Sequence, residues 1–78
     1  MTKEELIGQL RELHNQEELA ILIYTKHLES TFFLSQIPPA GQKEIKDILL
    51  TLAMESEVHA RMFEATIKQI QGSERNVY

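Results

Sequence analysis

Glu55 and His59, in the second half of the chain, have side-chain types and a spacing suited to holding a metal ion. On a helix that turns about 100° per residue, these two side chains lie about 40° apart on one face. The rest of this core-facing line is apolar and comprises Ile45, Ile48, Leu49, Leu52, Met62, Phe63 and Ile70. Because burying an unpartnered charged group is costly, we expect both residues to be paired, hydrogen-bonded or bound to metal.

Glu17 is a matching polar residue in the first half of the chain, on an apolar line that passes through Leu10 and Tyr24. Counted from the prolines at 38 and 39, Glu17 lies about 21 residues back, and Glu55 and His59 lie about 17 to 21 residues forward. Equal rise along two antiparallel helices places all three at one height. Two such hairpins, related by a two-fold axis, would offer four glutamates and two histidines, the ligand set of a di-iron or di-manganese carboxylate site.

Two long helices are predicted to position these residues. Thr2 and Glu5 have the spacing of a capping box, and no helix breaker occurs before Pro38 and Pro39. Near the other end of the chain, Gly72 has the position of a helix cap. The predicted elements are a first helix at about 3–36, a turn at 37–39, a second helix at about 40–71 and a tail at 72–78.

The predicted fold is all-α: residues 1–78 form a single domain, an antiparallel two-helix hairpin. A lone hairpin cannot cover the segment from Leu19 to Tyr24, which is apolar right round its circumference. We therefore expect a homodimer of hairpins that forms a four-helix bundle. Leu22, Ile23 and Phe33 could support a larger assembly.

Composition excludes several classes of partner and site. Without cysteine, the chain has neither disulfides nor thiolate metal ligands. Its formal net charge is −4 and its eight lysines and arginines are scattered, so we expect no nucleic-acid partner. The longest apolar run is too short to cross a bilayer, and the N-terminus does not resemble a signal peptide. We expect no membrane partner and a cytoplasmic location.

Two segments, QEELAILIY at 16–24 and LAMESEVHA at 52–60, resemble the ferritin-like superfamily. The sequence is most similar to half-length, two-helix members such as encapsulated ferritin, and it also resembles rubrerythrin helices. The resemblance spans nearly the whole chain, with loose motifs. It implies that Glu17, Glu55 and His59 bind iron, two ions per dimer, and that the protein oxidises Fe(II) with dioxygen or peroxide, as a ferroxidase does. Manganese or zinc could occupy the same ligands.

The chain departs from the family at one ligand. The family motif is Glu-x-x-His, but Ser56 stands three residues before His59, and Glu55 stands four before it. Either spacing keeps both side chains on one helix face, so the sequence allows ligation through Glu55 or a degenerate site that has lost its glutamate. The tail at 73–78 does not resemble an encapsulation signal, so an encapsulating shell is not supported.

Two further residues have alternative interpretations. His14 lies three residues before Glu17. It could be an extra metal ligand, or it could be an ordinary, partly exposed histidine. Tyr24 could donate a hydrogen bond to a ligand carboxylate, or could serve only as a core aromatic. At the level of the whole protein, the alternative to a di-iron protein is a metal-free helical scaffold or interaction module.

Overall fold

The chain folds as two long helices packed side by side, with a short helix at the turn between them. The computed structural model describes residues 1–78 and contains α1 (Lys3–Glu29), α2 (Thr31–Ser35) and α3 (Pro39–Gln71), with no strand. Glu17 of α1 contacts His59, and the earlier residue His14 contacts the later residue Glu64, so the two helices are antiparallel. The predicted all-α class and the packing of two long helices are confirmed. None of the helices has an apolar stretch that could cross a lipid bilayer.

The first helix ends earlier than expected, and the prediction of one unbroken helix to residue 36 is wrong. α1 ends at Glu29, and Ser30 has an extended backbone (φ −83°, ψ 104°). The Ser30 hydroxyl accepts a 3.1 Å hydrogen bond from the Phe33 N–H and so caps α2. Serine is favoured at this position because it satisfies an N–H that lacks a partner within the helix. The His27 ring then meets the Phe33 ring edge-on, with the centroids 4.7 Å apart.

The turn into α3 is held by one side chain and two prolines. The Gln42 amide donates 3.0 Å hydrogen bonds to the carbonyls of Leu34 and Ile37. α3 begins at Pro39, where the fixed φ of proline suits a first helical turn and the missing N–H costs nothing. At its other end α3 is followed by Gly72, whose φ of −82° is open to any residue. The bounds of α3 agree with the predicted ones to within one residue.

Small and branched side chains form the seam, our name for the surface along which α1 and α3 pack. The buried residues of α3 on this seam are Ala53, Ser56, Ala60, Ile67 and Ile70. Small side chains at 53, 56 and 60 allow the two helices to approach closely. Beyond them, away from the turn, Ile7 of α1 packs against Ile67 and Ile70 in the main apolar cluster.

The two ends of the chain are joined by main-chain hydrogen bonds. The Met1 ammonium donates a 2.9 Å hydrogen bond to the Tyr78 carbonyl, and the Tyr78 N–H donates one of 2.8 Å to the Met1 carbonyl. An isolated bridge pairs Thr2 with Val77. The tail at 72–78 thus lies against the start of α1.

The hairpin is a thin rod with an unusually large surface. It measures 55 × 15 × 15 Å, and its radius of gyration is 17.4 Å, against about 11.5 Å for a compact domain of this length. It exposes 5873 Å², whereas a compact monomer of its mass would expose about 4,900 Å². The hairpin alone therefore leaves about 1,000 Å² more surface exposed than a compact fold.

Candidate metal centres

Acidic and imidazole side chains lie along both edges of the seam. At about 100° per residue, Glu64 lies about 140° around α3 from His59, and the buried Ser56 and Ala60 lie between them. On α1, the same rotation places Glu18 about 100° from Glu17. We call the two sides of the seam the Glu17 edge and the His14 edge, after the α1 residue that each contains.

Glu17 and His59 meet on the Glu17 edge, in agreement with the register expected from the sequence. The Glu17 Oε1 atom lies 3.5 Å from the His59 Nδ1 atom, longer than a typical hydrogen bond. The Glu17 side chain is 26% exposed and the His59 side chain 54%. The two groups are therefore close without being tightly bonded to each other.

Glu55 and His59 lie on the exposed side of the seam and not at its centre, so within one hairpin they do not occupy the middle of the core-facing line as expected. Both are exposed, and the buried positions beside them are Ala53, Ser56 and Ala60. The small residues pack on α1 because they allow the closest approach, and this rotates the longer Glu55 and His59 side chains out of the seam. Ser56, three residues before His59, is buried and faces α1.

The surface around Glu55 and His59 is apolar. A shallow depression beside them is lined by Thr51, Met54 and Val58. At about 100° per residue, helix geometry places five exposed apolar residues of α1 and α3 on the same side of the rod: Leu13, Ile23, Ile48, Val58 and Met62. We call these five residues, together with Glu17, Glu55 and His59, the open face.

One other expectation concerns Tyr24, a residue beside this face. Tyr24 is half-buried and lies about two helical turns from Glu17. Its hydroxyl makes no hydrogen bond to the Glu17 carboxylate. A role for Tyr24 in orienting a ligand stays a prediction. Glu57, about 200° around α3 from Glu55, is exposed and accepts a 2.7 Å hydrogen bond from Arg61 on the same helix.

His14 is the centre of a second cluster, on the His14 edge. Its Nε2 atom lies 2.9 Å from the Glu64 Oε1 atom and 3.3 Å from the Glu18 Oε1 atom. The three ligand atoms all lie within 4.8 Å of one another. No other three histidine, aspartate or glutamate side chains of one chain bring their ligand atoms this close together. His14 is 16% exposed, whereas the two carboxylates are more than half exposed.

Sequence reasoning singled out His14 but missed its partners as a set. His14 and Glu18 are one helical turn apart, which is a detectable signal for two ligands on one face. Glu64 lies 50 residues from His14 along the chain, so it is found only by applying the hairpin register to both edges of the seam.

Comparison of the chain with protein-family models, with curated proteins and with solved structures gives no match. The resemblance of the segments at 16–24 and 52–60 to ferritin-like proteins therefore stays a prediction.

Proposed function

We propose that this protein binds iron in a two-fold dimer of hairpins, through Glu17, Glu55 and His59 of both subunits, and oxidises Fe(II). The observation that carries the proposal is the contact of Glu17 with His59 on an exposed apolar face, with Glu55 one turn away on that face. Soluble monomers rarely leave apolar side chains of this number together in water. A face that combines them with carboxylates and imidazoles is suited to an interface with a polar centre.

The surface of the hairpin supports a second copy as the occupant of the open face. Its excess of about 1,000 Å² over a compact monomer is close to the roughly 800 Å² that each partner buries in a stable interface. A two-fold axis pairs the open face with itself, so the apolar residues of one copy cover those of the other. Four helices then surround one core, the arrangement of a four-helix bundle.

The same symmetry would complete the ligand set. Within one chain, Glu17, Glu55 and His59 do not bring three ligand atoms within 4.8 Å. The second copy would contribute an equal set, giving four carboxylates and two imidazoles around the axis. Four carboxylates balance the charge of two divalent ions, which removes the penalty of covering these acids.

The chemistry follows from the ligand types. Carboxylate oxygens are hard ligands and stabilise Fe(III) relative to Fe(II), so bound Fe(II) would be the substrate that dioxygen or peroxide oxidises. Manganese or zinc would compete for the same ligands. Because Ser56 faces α1, Glu55 is the carboxylate that this part of α3 presents at the open face.

An anaerobic Fe(II) titration tests the proposal. Wild type should saturate with two ions per dimer in this site, and Glu17→Gln and His59→Ala should each lose them. Glu57→Gln is the matched control, because Glu57 is an exposed acid on the same helix as Glu55 and His59 and accepts a hydrogen bond from Arg61. The control should bind iron as wild type does.

Thermal unfolding with and without Fe(II) gives a second readout. Binding to the folded state alone raises Tm, so Fe(II) should raise the Tm of wild type and of the control by more than it raises that of the two ligand variants. Unchanged iron binding in both ligand variants would contradict the proposal. It would leave the metal-free interaction module as the better account of the open face.

A further inference from the structure

We infer that each hairpin contains a second divalent-metal site, formed by His14, Glu18 and Glu64 on the His14 edge of the seam. This site goes beyond the proposed iron centre. It is built entirely within one chain, and it lies on the edge of the seam opposite Glu17 and His59. It therefore requires neither the dimer nor the open face.

The distances suit ligands around one ion. Histidine nitrogen and carboxylate oxygen bind first-row divalent metals at about 2.0–2.2 Å, so two ligands at right angles lie about 3.0 Å apart and at a tetrahedral angle about 3.4 Å apart. The His14 Nε2 atom lies 2.9 Å from the Glu64 oxygen and 3.3 Å from the Glu18 oxygen. Both separations fall in the range expected for ligands of a single ion.

Hydrogen bonding alone does not satisfy this group. One imidazole nitrogen carries at most one proton, so Nε2 cannot donate a separate hydrogen bond to each of two carboxylates. Its geometry is that of a hydrogen bond toward Glu64 only. Arg11 and Lys68 line the same depression, yet neither forms a salt bridge with Glu18 or Glu64. A divalent cation would balance both carboxylates at once.

The helices hold the ligands in place before any ion binds. His14 and Glu18 are one turn apart on α1, the spacing at which two side chains on a helix share an ion, and Glu64 approaches from α3. The His14 ring is mostly buried and so is restricted in its rotation, while the more exposed carboxylates can adjust. Three protein ligands leave further coordination positions to water.

The ligand types indicate the class of ion. An imidazole with two carboxylates suits Zn(II), Fe(II) or another first-row divalent metal, whereas Ca²⁺ and Mg²⁺ prefer oxygen ligands alone. Bound there, the ion would link α1 to α3 about halfway along the hairpin. Such a link stabilises the folded chain, because the unfolded chain does not present the three ligands together.

Zn²⁺ titration of the full-length chain by calorimetry tests the inference. His14→Ala, Glu18→Gln and Glu64→Gln are the ligand variants, and Glu57→Gln is again the control. Changes to groups that only support a metal ligand weaken binding about 10- to 100-fold, so loss of a ligand should weaken Zn²⁺ binding at this site by about tenfold or more. The glutamine variants preserve side-chain shape at exposed positions, and their Tm without metal should equal that of wild type.

A double variant separates this site from the proposed iron centre. Glu17→Gln with His59→Ala should keep one Zn²⁺ per chain and the increase in Tm that Zn²⁺ causes. Zn²⁺ affinity that is unchanged in His14→Ala and Glu64→Gln would overturn the inference, as would complete loss of Zn²⁺ binding in the double variant. Failure of the iron titration would leave this result unaffected.

Discussion

Replacing Ile48 by lysine tests whether the open face binds a second copy of the chain. Ile48 is 48% exposed in the hairpin, so about half of its side chain remains to be covered. Full burial of such a side chain contributes about 1.5–3 kcal/mol, and covering the exposed half therefore contributes about 1 kcal/mol in each subunit. A two-fold interface contains the residue twice, which makes the loss about 2 kcal/mol per dimer.

That loss converts directly into a change in affinity. At about 1.4 kcal/mol per tenfold change, Kd for dimerisation should rise about 30-fold in Ile48→Lys. This is the smallest expected effect, since it assumes that both lysine ammonium groups still reach water. An ammonium group trapped in the interface would add a desolvation cost to each subunit and raise Kd further.

Leu50 provides the matched control on the same helix. It is 51% exposed, two residues further along α3 and about 200° around it, so it lies on the opposite side from Ile48. Leu50→Lys makes the same change of charge and a similar change of size, and it should leave Kd unchanged. Both lysine variants should keep the helical content of wild type, because both positions are half exposed.

Sedimentation equilibrium over a range of protein concentrations measures Kd from the balance of 9.0 kDa monomer and its dimer. If Ile48→Lys associates as tightly as wild type, the open face is not the interface. If both lysine variants weaken association equally, the effect is one of charge and not of position. Either result would refute the reasoning.

Three further predictions concern the stability of the hairpin, measured as the free energy of unfolding in urea. Ala60→Leu should lower it by about 1–3 kcal/mol, because a larger side chain in the seam forces α1 and α3 apart; no change would mean that the helices are not in close contact there. Ile67→Ala should lower it by about 2–5 kcal/mol through a cavity beside Ile7, and a much smaller loss would mean that this end of the rod is loosely packed. Ser30→Ala should cost about 1 kcal/mol through loss of the α2 cap, whereas a gain in stability would show that a continuous helix is preferred.

The sequence predicts the ends of α3 and the register of the hairpin because both depend on local chemistry. Pro39 suits the first turn of α3, and Gly72 follows its last turn. Equal rise along two antiparallel helices then fixes which residues lie at the same height. The contact of Glu17 with His59 follows from that count alone.

The rotation of α3 could not be predicted in the same way. Its apolar arc, from Val58 round to Ala53, extends over about 220°, more than one neighbouring helix covers. The centre of that arc is near His59. It faces neither α1, which packs on one half of the arc, nor the middle of the other half, which stays exposed. α1 covers the half that contains Ser56 and Ala60, which leaves the half with Glu55 exposed.

The break at Ser30 was missed for a different reason. Serine is compatible with a helix interior and is also a good cap, so the residue type alone does not decide between them. Whether the helix breaks at Ser30 depends on two contacts: the hydrogen bond from the Phe33 N–H to the Ser30 hydroxyl, and the contact of the Phe33 ring with His27. Both form only after the chain has turned.

The joined ends of the chain offer a way to determine how two hairpins are oriented in a dimer. Both termini lie at one end of a rod 55 Å long. Fluorophores attached at residue 78 would be close neighbours if the two rods point the same way, and would be separated by about the length of the rod if they point in opposite directions. Energy transfer between labelled subunits would distinguish the two arrangements without a substitution on either edge of the seam.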